Sequence, residues 1–180
     1  MRYRCFRPVT GFWRLQIRIY MIPRIETTPE RKLVGKRLAM SFANYRAGEL
    51  WKSFMPRRKE IQNVISPNFL SMVLYAPDHF RNFKPTNNFE KWAAVEVSSF
   101  ENIPADMETF VIPEGLYAIF HYKGLDTDNA IYQYIFGTWM PASDYVLDQR
   151  PHFEILGNKY KNNDPSSEEE IWIPIKGKGN

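Results

Sequence analysis

Two helical stretches of this chain end on the same signature: Phe54-Met55-Pro56 in the first half and Trp139-Met140-Pro141 in the second. Proline has no backbone N–H and crowds the preceding turn, so each motif marks a helix end. Around both stops the order of elements repeats. Residues 31 to 42 read as a strand, 48 to 63 as a helix interrupted at Pro56, and 69 to 75 and 92 to 97 as strands. After a turn-rich link at 98–106, strands are predicted over 108–111 and 116–122. A helix over about 128–140 follows, capped by Asp126 or Thr127 and stopped by Pro141, then strands at 152–156 and 170–175. A β-α-β-β order met twice predicts an α+β domain: duplicated β-α-β-β units, an antiparallel sheet, two helices on one face, and a ligand cleft at the pseudo-two-fold seam.

Composition narrows the function classes. The chain has 180 residues, 44% of them apolar and 16% aromatic, enough for a core in a single domain. Tyr and Trp at this density need polar partners, which favours clefts and interfaces. One cysteine, Cys5, excludes an internal disulfide framework and a cysteine-based zinc site, and favours a reducing, cytoplasmic setting. No run of 18 apolar residues exists, so no membrane span is expected. The net charge of +4 is uneven: residues 1–20 hold five arginines and no acid, and without them the charge is −1. The basic balance therefore predicts no direct nucleic-acid binding by the body of the chain.

The expected domains are a basic N-terminal extension, 1–20, and a single ligand-binding domain, 21–180. Three readings of the extension compete. It is an artefact of an upstream start with Met21 as first residue, or an ordinary first strand or arm, or an arm that touches membrane or nucleic acid.

The segments Ile112-Pro-Glu-Gly-Leu-Tyr-Ala118 leading to Lys123-Gly124, Trp139-Met-Pro141, Phe153-Glu154 and Glu170-Ile-Trp-Ile-Pro-Ile175 carry a resemblance. In that order, and over residues 22–176, the chain resembles the GyrI-like small-molecule-binding family, the AraC-type effector-binding domain. The resemblance implies a duplicated unit with a cleft between its halves, and a small-molecule effector. The chain departs from it at Leu156, where the family often has an aromatic, and in the Phe- and Asn-rich segment 76–90, which suggests a loop folded over something. No helix-turn-helix segment is read ahead of the domain, so a stand-alone module is expected, with a separate regulator protein as a possible partner.

Glu96, Glu154 and Glu170 each lie in a strand-like apolar run, where a carboxylate is costly to bury unless paired. Alternation groups Glu96 with Trp92, Glu154 with His152, and Glu170 with Trp172. Either these carboxylates face a lipophilic cation among aromatic rings, or the face that carries them is solvated. Trp139 is a core aromatic or a cleft wall. Tyr117 shares a strand face with Ile119 and His121, and Tyr145 sits in a segment able to close over a ligand. The candidate ligand-binding set is thus Glu96, Tyr117, Trp139, Tyr145, Glu154, Glu170 and Trp172. His79, His121 and His152 lack metal-ligand spacing, and neither a metal nor a cofactor is predicted.

Three functions compete. The first is a small-molecule binding protein for an apolar or cationic compound, in transcriptional regulation or xenobiotic response. The second, by analogy with relatives, is a hydrolase of reactive electrophiles with Glu154 or Glu170 as the base. The third is a protein-interaction module such as a gyrase inhibitor.

Overall fold

A computed structural model describes residues 21–125 and 127–179; the extension 1–20 and the capping candidate Asp126 lie outside the described residues. Among the described residues nine strands run β1 Arg24–Thr28, β2 Arg31–Ser41, β3 Phe69–Leu74, β4 Asn88–Val97, β5 Glu108–Ile112, β6 Gly115–Lys123, β7 Tyr145–Leu147, β8 His152–Leu156 and β9 Glu168–Gly177. Helix α1 covers Ala47–Phe54, and a 3-10 turn covers Arg58–Glu60. The second helical run is α2 at Ala130–Tyr134, a π-helical turn at Ile135–Trp139, and α3 at Met140–Ala142.

The pairing is antiparallel throughout, in the order β1-β6-β9-β8-β3-β4-β2-β5, with β7 on β9. Exchanging β1 with β5, β2 with β6, β3 with β8 and β4 with β9 returns the same order. The centre of that exchange is the β3–β8 pair, which sets Ser71 opposite Glu154 and Met72 opposite Phe153. Only residues 29 and 30 separate β1 from β2, although the strands lie near opposite ends of the sheet order. Two residues span too little distance to cross a flat eight-strand sheet, so the sheet must curl.

Curling gives the strands an inside and an outside. The inner face packs Leu33, Leu70, Met72, Trp92, Ile112, Tyr117, Ile119, Phe153 and Trp172 against one another. The outer face carries the helices. Ala47, Leu50 and Phe54 share one face of α1 and are buried on Val34, Val73, Phe89 and Val95. Ile131 and Ile135 of the second run cover Phe120, Ile171 and Ile173. Gly115 is required where it stands: its φ is +151°, and a Cβ there would lie 2.1 Å from the Arg150 guanidinium.

The strands of the repeated order fall close to their expected places, and α1 ends just before Met55-Pro56 as predicted. Strands β1 and β7 are additional. The second helical run differs from expectation, because it continues past Pro141 to Ala142. The Met140 N–H bonds to the Ile135 carbonyl, five residues back. A widened turn ahead of the proline eases its crowding of the carbonyl four residues earlier, so Pro141 does not terminate the run. Among the described residues no helix is long and apolar enough to cross a membrane.

Candidate functional site

Between α1 and the second helical run, over the β3–β8 seam, the outer face opens into a cleft of about 1060 Å³. Its floor is built by strand alternation. On β3 the residues Phe69, Ser71 and Val73 point outward, on β4 Phe89 and Lys91, and on β8 His152, Glu154 and Leu156. Lys91 is opposite Val73 and Glu154 is opposite Ser71, so the two charged residues are one diagonal step apart across β3.

There Lys91 Nζ donates to Glu154 Oε2 at 3.4 Å, with the side chains 6% and 22% exposed. From α2, the Tyr132 hydroxyl donates to Glu154 Oε1 at 2.5 Å. Burial alone pushes the Glu154 carboxyl upward, but the Lys91 charge and hydrogen bonds from Ser71 and Tyr132 outweigh it and hold the carboxyl below its usual range. Burial pushes Lys91 down, and the Glu154 charge and hydrogen bond, together with the nearby Tyr45 and Glu169, outweigh that and hold it up. Both directions describe a charged pair. Tyr132, raised well above its usual value by burial and then by Glu154, remains a neutral donor.

The walls are aromatic. His152 lies edge-on to Tyr75 at 5.2 Å and within 6.3 Å of Phe80 and Phe136, while Tyr132 stacks on Phe136. Burial lowers the His152 pKa to about 4, so its ring is neutral at pH 7 and behaves as another aromatic wall. The segment 76–87 folds over this side. Its buried His79 is ringed by Phe42, Tyr75, Phe80, Phe83 and Phe89. At the mouth, Phe42, Tyr45, Phe80 and Phe83 are each between 46% and 58% exposed.

The seven residues proposed from the sequence do not come together. Glu154 lies on the cleft floor. Glu170 and Trp172 lie on the inner face of β9, because the register sets Glu154 opposite Ile171, Phe153 opposite Trp172 and Ile155 opposite Glu170, although Trp172 still borders the cleft. One residue of parity therefore separates the two carboxylates onto opposite faces. Glu170 there accepts from Arg24 at 3.0 Å and from the Trp172 indole at 3.1 Å. Glu96, on the inner face of β4, pairs with Arg31 at 3.0 Å. The Arg31 guanidinium also lies 4.9 Å from the Trp172 ring centre. Tyr117 is buried inside, its ring 4.6 Å from Arg150 and its hydroxyl donating to the Pro151 carbonyl; burial pushes its pKa up to about 12. Trp139 packs on Phe120 and stacks on Tyr145 beneath the end of the second helical run.

Lys91, Tyr75, Tyr132 and Phe136 were missed from the sequence. Lys91 stands directly before the strand run read at 92–97, and Tyr132 and Phe136 had the four-residue spacing of one helix face. Among the described residues no cluster of His, Cys, Asp and Glu can hold a metal ion.

The sequence profile of the integron-associated effector-binding proteins, Cass2, matches residues 24–175. The transcriptional regulator BrlR of Pseudomonas aeruginosa is 27% identical over 165 residues, 91% of this chain and 57% of BrlR. The chain thus spans little more than half the length of that relative. Among solved structures, SAV2435 bound to tetraphenylphosphonium is 18% identical with a TM-score of 0.55, over 87% of this chain and 95% of that one. A hydrolase from Listeria innocua is 10% identical with a TM-score of 0.55, over 86% and 91%. At such identities the two structures show a shared fold.

Proposed function

The chain belongs to the integron-associated effector-binding protein family, with the GyrI-like fold, and on that premise we propose that the cleft over the β3–β8 seam is its effector site. The effector is a lipophilic, aromatic small molecule with a positive charge, sensed in transcriptional regulation or a xenobiotic response. One observation carries this reading: an ionised carboxylate, Glu154, at the floor of a large cleft walled by Tyr75, Phe80, Phe136 and His152. A ring face attracts a cation by about 0.5–2 kcal/mol, and a carboxylate beneath it supplies the counter-charge. Among the described residues, the charged ones lining the cleft are Lys52 and Lys91 against Asp128, Glu154 and Glu169, one more acid than base. A regulator among the relatives and a lipophilic cation bound to a protein of this fold support the same reading.

The chemistry of Glu154 favours binding over hydrolysis. A general base works best with its pKa near the working pH, and the Glu154 carboxyl is held below the ordinary range. Glu170, the other carboxylate considered as a base, is on the opposite face beside Arg24 and Trp172.

A thermal-shift panel of lipophilic cations, anions and neutral aromatics of similar size tests the proposal. Cations, tetraphenylphosphonium among them, are expected to raise the melting temperature most, and Glu154→Gln to abolish the preference. Equal shifts from all three charge classes would remove Glu154 as the counter-charge.

A further inference from the structure

The proposed effector site has a feature that a simple cation does not use. Lys91 is 5% exposed, lines the cleft, and has three N–H donors. Among the described residues its hydrogen-bonding partner is Glu154 Oε2, at 3.4 Å, long for a charge-assisted bond. The buried ammonium therefore faces an open volume of about 1060 Å³, from which an acceptor atom of a ligand can reach it. Glu154, by contrast, is well supplied, with Tyr132 on one oxygen, Lys91 on the other and Ser71 contributing.

We propose that Lys91 is a specificity-determining residue of the cleft and that the effector carries an acceptor oxygen, in its strongest form a carboxylate, close to its positive charge. This rests on the effector-site reading and narrows its ligand class from lipophilic cation to aromatic zwitterion. The reason is electrostatic. A cation without an acceptor must share Glu154 with an ammonium 3.4 Å away, and it meets the repulsion of that ammonium. A zwitterion places its anion on Lys91 and its cation on Glu154, so the two dipoles lie antiparallel and both ends are satisfied. The aromatic walls at Tyr75 and Phe136 remain available to its rings. Lys91 thus acts as a tethered competitor that weakens, without abolishing, the binding of plain cations, and as an anchor that favours cations with an acceptor.

Rhodamine 110, with a free carboxylate, and rhodamine 123, its methyl ester, share one cationic ring system and make the direct test. Each is titrated with wild-type protein and with Lys91→Met and Lys91→Arg at pH 7, and fluorescence anisotropy is read. Wild type is expected to bind the acid about tenfold more tightly than the ester, the effect of one charge-assisted hydrogen bond. Lys91→Arg is expected to keep that order and Lys91→Met to reverse it. Should Lys91→Met fail to fold, the acid-to-ester ratio in wild type and Lys91→Arg decides. Ester binding equal to or tighter than acid binding in wild type overturns the proposal and leaves the effector site standing. Silence of both dyes beside stabilisation by tetraphenylphosphonium overturns it as well. Silence of both dyes and of every lipophilic cation tested overturns the effector site and this proposal together.

Discussion

The inner and outer faces of the curled sheet each hold an ion pair among aromatic rings, and they differ in what surrounds the pair. Inside, Arg31 and Glu96 sit at 3.0 Å, with the guanidinium over Trp172 and near Phe153, in a region filled by side chains from seven strands. Outside, Lys91 and Glu154 sit at 3.4 Å under an open cleft roofed by two helical runs. The same strands supply both: Phe153 and Glu154 are neighbours in sequence and point opposite ways. A carboxylate on an apolar strand is therefore no sign of a site by itself. What distinguishes the outer pair is the unfilled volume beside it, and that follows from the helices standing apart over the seam.

The largest effect that separates the faces is on stability. Phe153→Ala should lower the unfolding free energy by about 3–5 kcal/mol in urea, since it empties the packed interior. Phe136→Ala, on a cleft wall already open to solvent, should cost less than about 1 kcal/mol and appear mainly as weaker effector binding. A large stability loss in Phe136→Ala would show that the cleft is a packed seam.

Acid comes next. His152 has a folded pKa of about 4 against an ordinary 6.5, so the unfolded chain takes up its proton first. Stability is thus lost as pH falls from 6.5 toward 4, by on the order of 3 kcal/mol, and regained as pH rises. His152→Phe should flatten that part of the pH–stability curve. Glu154 acts in a separate window: its folded pKa is below 4.5, so its contribution is full above 4.5 and lost only as pH falls through the lower folded value. A curve unchanged between pH 6.5 and 4 in His152→Phe would contradict the buried neutral ring.

Lys91→Met should cost about 2 kcal/mol, because it strands a largely buried carboxylate, and Glu154→Gln in the same chain should recover part of the loss. Arg31→Met should cost a comparable amount while leaving effector affinity unchanged, as its pair faces the interior. Smallest of all, Glu170→Gln removes a partner of the half-exposed Arg24 and should change stability by less than 1 kcal/mol. Equal losses of effector binding in the Arg31 and Lys91 variants would erase the distinction between the faces.

Much of this architecture was legible in the chain, and the reason is periodicity. The runs at 69–75 and 92–97 have the apolar content of strands and coincide with β3 and the later part of β4, whose first residues, 88–90, read as loop; Leu50 and Phe54 have the spacing of a helix face. The short edge strand Arg24–Thr28 was not, because its residues are mostly exposed and polar and no face repeats. The site was legible only in part. Alternation groups residues within one strand, so His152 with Glu154 and Glu170 with Trp172 could be read. Which group on β8 shares a face with which on β9 depends on register, and register is fixed by pairing between strands. That undetermined parity is why Glu96, Glu170 and Trp172 were grouped with Glu154. Lys91 was overlooked for a related reason: its importance comes from a diagonal across β3, a contact 63 residues distant in sequence.

The most direct test of the account is calorimetric titration of tetraphenylphosphonium into wild type, Glu154→Gln and Glu170→Gln. Binding at one site per chain, weakened tenfold or more by Glu154→Gln and unchanged by Glu170→Gln, is the predicted result. Loss of binding in Glu170→Gln with full affinity in Glu154→Gln would place the effector on the inner face and contradict the account.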